Sequence, residues 1–192
     1  MRRQLRAALA IAVLAATGAA QAAVIEYRTT LGPELVGATG TGTVLLTFDS
    51  ATSLLDFDVT FSGLSGDTTV AHIHCCTASA GTGAAGVAVT APTLPGFPTG
   101  VSSGTYIYND LDMTLASSYG ATFLSASGGN PALALSRLLA NLDSGQAYFN
   151  VHTSPTFTSG EIRGFLARVP EPGTLALLGL GLAGLGFSRR KQ

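Results

Sequence analysis

The chain has 192 residues, with 10 Lys and Arg against 11 Asp and Glu, a formal net charge of −1 and no Trp. Six of the basic residues crowd the two ends, so the segment between Ala23 and Val169 keeps four arginines against ten carboxylates, a net charge of −6. Such an acidic surface argues against nucleic acid and anionic lipid as partners, while about 147 residues suffice for one domain with a proper core.

In chain order the first element is an address. Arg2, Arg3 and Arg6 precede an uncharged run from Ala7 to Ala20, and Ala20-Gln21-Ala22 stands before Ala23. That pattern predicts a secretory signal peptide over 1–22, cleaved after Ala22. A retained membrane helix fits less well, because the run is short of the roughly 20 residues that a bilayer core needs.

Strands follow. In "LLDFDVTF", Leu55, Phe57, Val59 and Phe61 share one face and Asp56, Asp58 and Thr60 the other, the alternation of a half-buried strand. Further strands are expected at 25–30, 41–49, 69–75, 105–108, 146–152 and 161–168, separated by glycine and proline turns. Seven strands so punctuated predict a mostly β fold, an antiparallel β-sandwich or barrel of Greek-key or Ig-like type. The small-residue segment 78–104 reads as a long surface connection, which is also a candidate contact surface.

One segment changes period. Asn130 can cap, Pro131 suits a first helical position, Leu135, Leu138, Leu139 and Leu142 recur at helical spacing, and Gly145 can end the element. The spacing predicts one short helix over 131–142, its leucines facing the core.

The chemistry-bearing residues fall on three of the predicted strands. Both cysteines and two of the three histidines lie in "HIHCC", residues 72–76. Strand parity turns Ile73 inward and sends His72 and His74 to the opposite side. By the same rule Tyr148, Asn150 and His152 oppose Phe149 and Val151, and Glu161 and Arg163 oppose Ile162 and Leu166. If the strands are neighbours, these sets share one surface.

An HxH pair with a third imidazole suits zinc or copper, and Glu161 could complete four-coordination by His72, His74, His152 and Glu161. The plainer reading is a hydrogen-bonded polar layer of the histidines, Asn150, Glu161 and Arg163. Three histidines are too few for a dinuclear copper/zinc site with a bridging imidazole, and a mononuclear copper redox site is the residual catalytic alternative. Glu161 beside Arg163 identifies no reaction, since same-face charge pairs are common, and no catalytic residue is assigned.

Export places Cys75 and Cys76 in an oxidising compartment, which favours a vicinal disulfide between them. Across a trans peptide their Cα atoms would lie about 3.8 Å apart, below the usual disulfide range, so the bridge requires a distorted turn. If the strand instead continued, Cys76 would share the parity of the histidines and could serve as a soft ligand.

Jointly, "AHIHCC", "YFNVHT" and "GEIRGFL", together with "LGPELVGATGTGTVLL" and "DFDVTFSGL", resemble the CHRD domain, first named from chordin and common in secreted bacterial proteins. The resemblance spans 23–169 and implies an extracellular β-sandwich module with no established catalytic activity; the adjacent cysteines lie outside its general pattern. The last segment, 170–192, carries Pro170-Glu171-Pro172, an uncharged stretch from Gly173 to Ser188, and then Arg189, Arg190 and Lys191. It resembles the PEP-CTERM sorting signal of exopolysaccharide-making Gram-negative bacteria. That resemblance implies recognition by an exosortase, processing near the motif, and a final place at the cell surface or in the extracellular matrix. The glycine-rich apolar stretch would be a short transmembrane helix acting as a transient inner-membrane anchor, its basic tail cytoplasmic.

The sequence therefore leads to an exported, surface-sorted, non-enzymatic binding or matrix module, with extracellular polysaccharide or a surface protein as candidate partner. The competing expectation is a zinc or copper protein that sequesters metal or runs mononuclear redox chemistry.

Overall fold

The computed structural model describes residues 23–170. The expected signal peptide and the C-terminal apolar segment lie outside the described residues, and within those residues no helix is long and apolar enough to cross a membrane.

Among the described residues the strands are β1 (Val24–Pro33), β2 (Thr41–Asp49), β3 (Leu54–Ser62), β4 (Asp67–Cys75), β5 (Val87–Val89), β6 (Gly104–Asp112), β7 (Ala147–Ser154), β8 (Ile162–Phe165) and β9 (Ala167–Arg168). They run in the order β5-β4-β7-β8-β1-β2-β3-β6, with β9 paired to β1. All pairings are antiparallel. The result is a curled half-barrel, and the mostly β expectation holds.

β1 is the seam. It pairs with β2 along eight registered residues, and at its end Gly32 and Pro33 pair with Arg163 and Ile162 of β8. The curl this produces brings the inward faces of the two halves together. Tyr27, Leu46, Phe57 and Val59 come from one half and Ala71, Ile73, Phe149, Val151 and Ile162 from the other, all in one buried cluster. Alternating apolar residues supply this core, as the period-2 pattern requires.

Among the described residues two α-helices cover the open side, α1 (Ala121–Ser125) and α2 (Pro131–Asp143). The Asn130 side chain accepts hydrogen bonds from the amides of Ala132 and Leu133, and Pro131 opens the helix without wasting a donor. Ala134, Leu138 and Leu142 are buried, whereas Leu135 and Leu139 pack at the margin of the core. Gly145 follows in the left-handed region at φ 68°, where glycine avoids the Cβ penalty and ends the helix.

The segment 78–104 departs from its expected role as a surface connection. It contains β5, and its Ala88, Val89, Leu94 and Phe97 are buried. An exposed β4 edge would leave backbone donors and acceptors unpaired. β5 pairs with Ile73 and His74, while Leu94 donates its amide to the Ala71 carbonyl, so the segment seals that edge.

Candidate metal centre

The antiparallel ladder between β4 and β7 builds the site. It places His72 opposite Asn150, His74 opposite Tyr148, and Val70 opposite His152, with a register irregularity between Thr68 and Val70. On the other side of β7, Asn150 stands opposite Arg163 of β8. Side-chain parity therefore does what the sequence suggested for the histidines, Asn150 and Arg163: all lie on the face turned away from the Ile73, Phe149 and Val151 core.

That face is not an open surface, which corrects the outward placement expected from alternation. His72 is 5% exposed, His74 8%, His152 8% and Asn150 1%. Sealing the β4 edge also brings loop carbonyls onto the rings. The Ala85 carbonyl lies 2.8 Å from His74 Nδ1 and the Pro92 carbonyl 2.5 Å from His72 Nε2, while the Thr158 carbonyl lies 2.8 Å from His152 Nδ1.

A carbonyl can only accept, so each of these ring nitrogens carries the hydrogen. The tautomers follow. His72 presents a bare Nδ1, His74 a bare Nε2 and, when neutral, His152 a bare Nε2. His72 Nδ1 and His74 Nε2 are buried and have no hydrogen-bond partner. One donor atom from each of the three histidines lies within 4.8 Å of the others. The rings meet edge-on where His72 approaches His74 and His152, with centroids 5.4 and 5.1 Å apart.

Burial, opposed by the hydrogen bond to the Pro92 carbonyl, pushes His72 down to about 4, and burial likewise lowers His74. Both are neutral at physiological pH, the state in which imidazole is a ligand. Metal-binding histidines commonly donate their second nitrogen to a carbonyl, which fixes the tautomer and ring orientation. All three rings here have that support.

Glu161 does not join them. It precedes β8, is fully buried, and turns toward Ser65, Thr39 and Thr153. Strand parity fails there because the residue belongs to the turn entering the strand. The carboxylate that does approach is Glu34, in the turn after β1. Its Oε2 accepts from Asn150 Nδ2 at 3.4 Å and its Oε1 pairs with Arg163 Nη1 at 3.3 Å. Gly160 permits this approach, since a Cβ there would collide with the Glu34 carboxylate. Arg163 lies 5.1 Å over the Tyr148 ring, which stacks on His74 at 4.9 Å. Nothing in the spacing of "LGPEL" signals this role for Glu34, because its partners are 116 and 129 residues away.

Cys75 ends β4, and Cys75 and Cys76 are joined in a vicinal disulfide. Their peptide is cis and the Cα separation 3.1 Å, so the distance expected across a trans peptide does not apply. With its sulfur in the bridge, Cys76 is not a thiolate ligand.

The family model for the CHRD domain matches residues 17–166. The chain belongs to the CHRD domain family. A second model, the PEP-CTERM protein-sorting motif, matches residues 168–191. No curated protein and no solved structure shows significant similarity to the chain. The sorting motif marks this CHRD protein for export and for sorting to the cell envelope or beyond, with recognition by an exosortase on the way.

Proposed function

We propose that this CHRD protein is a non-enzymatic, surface-sorted module that holds a zinc or copper ion through His72, His74 and His152. One observation carries the reading: two buried imidazole nitrogens, His72 Nδ1 and His74 Nε2, have no partner, while backbone carbonyls fix the opposite nitrogen of each ring. Leaving a polar atom buried and unpaired costs about 1–3 kcal/mol. A bound cation would satisfy both atoms at once. Three imidazoles suit zinc and copper, whereas calcium and magnesium require oxygen-rich shells.

Export matters to this reading, because the metal would be held outside the inner membrane. The basic exposed groups that would mark a nucleic-acid site are few, and the hydroxyls of Ser65 and Thr153 that meet a carboxylate are held by the buried Glu161. Holding metal within an extracellular polymer or at the surface fits these facts better than turnover.

The test is metal analysis and titration of protein purified from its own periplasm. Zinc or copper should bind with one equivalent per chain, and His72→Ala should abolish it. Equal, weak binding by both proteins would leave a hydrogen-bonded polar layer in place of a metal centre. Deleting residues 170–192 tests the sorting arm separately: the truncated protein should be exported yet fail to reach the surface.

A further inference from the structure

We propose that Asn150 Oδ1 is the fourth donor of the centre, making it a neutral three-nitrogen, one-oxygen site for a divalent ion, and that Glu34 and Arg163 are positioning residues for that oxygen. This rests on the trihistidine reading above and adds the ligand that the histidines lack.

The placement starts from the ladder. Asn150 is registered opposite both His72 and Arg163, at the centre of the buried face. Its Oδ1 lies 3.1 Å from His152 Nε2. With His152 Nδ1–H given to the Thr158 carbonyl, a neutral ring offers only a lone pair at Nε2, and the amide oxygen offers another. Two acceptors then face each other in a dry site, which is unfavourable unless a positive charge lies between them; a second proton on His152 would serve that pair alone, whereas a metal ion also serves the unpartnered His72 Nδ1 and His74 Nε2.

Turning the amide over does not remove the conflict. It would put Oδ1 against the Glu34 carboxylate, which now accepts from Nδ2 at 3.4 Å. Glu34 in turn is held by Arg163, so the chain Arg163, Glu34, Asn150 fixes which amide atom faces the histidines. A divalent ion bonded to both Nε2 and Oδ1 resolves the opposition. Tetrahedral zinc with ligands at about 2.1 Å places them roughly 3.4 Å apart, close to the separation found.

The donor set also selects the charge state. Softer sulfur ligands, which favour copper(I), are absent from this set, and a carbonyl oxygen with three imidazoles suits zinc(II), cobalt(II) or copper(II). The Glu34 carboxylate behind Asn150 supplies the nearest negative charge, partly offset by Arg163.

Cobalt(II) and zinc(II) binding to the exported protein decide the matter. With the fourth position filled by Asn150, the visible spectrum of the cobalt protein should be unaffected by azide. Asn150→Ala should weaken zinc binding by roughly tenfold or more, on the scale seen when metal-site partners are lost, and should make the cobalt spectrum azide-sensitive. Asn150→Asp alone would set a carboxylate oxygen against Glu34, so it is combined with Glu34→Gln, whose amide can donate to it; this double variant keeps an oxygen in place and should bind zinc at least as tightly as the parent. Glu34→Gln should weaken zinc a few-fold with azide still excluded.

Unchanged affinity in Asn150→Ala, or an azide-sensitive parent, overturns the fourth-ligand assignment while leaving the histidines as ligands. A parent protein that binds neither cobalt nor zinc removes the trihistidine reading and this inference together. If Asn150→Ala does not fold, zinc binding weakened tenfold or more in the Asn150→Asp, Glu34→Gln double variant, or an azide-sensitive parent, still overturns it.

Discussion

The carboxylate of Glu161 accepts the backbone amide of Ser65 at 2.6 Å, across 96 residues of sequence. The same oxygen takes the Ser65 hydroxyl at 2.7 Å and the Thr39 amide at 3.4 Å, while the other takes the Thr153 hydroxyl. Glu161 thus ties the β1–β2 turn, the β3–β4 turn and β7 to the entry of β8. None of the described ion pairs includes it, so hydrogen bonds alone sustain the buried charge. Glu161→Ala strands these donors, and the expected loss is roughly 3 kcal/mol, or about 10 °C in Tm for a domain of this size. Thermal denaturation checks it; a change below about 2 °C would show that the turns hold without the clamp.

A pH effect follows from the same residue. Burial pushes the Glu161 carboxyl up, but the hydrogen bonds from Ser65, Thr153 and Thr39 outweigh burial and hold it below its ordinary value. Its contribution is complete above the unfolded pKa of about 4.3 and is lost as pH falls through the lower folded value, because the unfolded chain takes up the proton first. Stability should therefore decline on acidification through that window. Glu161→Gln, which does not titrate, should show a shallower acid limb in denaturant titrations at successive pH values. Parallel limbs for the two proteins would contradict this.

Residues whose role is set by their own strand were legible in the sequence. Alternation located Phe57 and Val59 inside, and parity brought His72, His74 and His152 to one face. What required the fold was long-range: the burial of that face under carbonyls of Ala85 and Pro92, and the arrival of Glu34 beside Asn150. Small residues in 78–104 conceal a strand because β5 is only three residues long and gains its pairing from β4. Glu161 departs from its expected place for the opposite reason. Its spacing from Ile162 looked like a strand continuation, but the residue lies in a turn where period 2 has no force.

Helix α2 runs one residue past the stretch that the leucine spacing predicts, and its cap is the part most open to test. Asn130 Oδ1 accepts from the Ala132 amide at 2.9 Å and from that of Leu133 at 3.4 Å. Asn130→Ala should cost about 1 kcal/mol, and Asn130→Ser or Asn130→Asp should restore most of it. Equilibrium unfolding of the three variants measures this. Equal losses in all three would mean that packing of Leu138 and Leu142 fixes the helix start unaided.

The described residues hold no free cysteine, so the native protein should show no alkylatable thiol and reduction should release two. The Cys75–Cys76 bridge has a sequence separation of 1, and closing so small a loop removes little entropy from the unfolded chain, about 1 kcal/mol by the loop-closure relation. Replacing both cysteines by serine should accordingly lower Tm by only a few degrees. A loss near that of Glu161→Ala would show that the bridge organises more of the domain than its own turn. Mass spectrometry with alkylation and a melting curve supply both readings.

Zinc should stabilise the folded protein, since the three ligands come together only when β4 and β7 pair. At a free concentration 100-fold above Kd the gain is about 2.7 kcal/mol, or roughly 8 °C in Tm. His74→Phe separates metal binding from packing. The aromatic ring can still stack on Tyr148, and the change deletes a buried nitrogen that has no partner, at the cost of the bond to the Ala85 carbonyl, which also receives the Tyr148 hydroxyl at 3.4 Å. With chelator present the variant should lie within about 1 kcal/mol of the parent, because these changes oppose each other. With zinc present it should gain almost nothing. If the variant and the parent gain equally, the ion is held elsewhere; if neither gains, the histidines serve the polar layer alone.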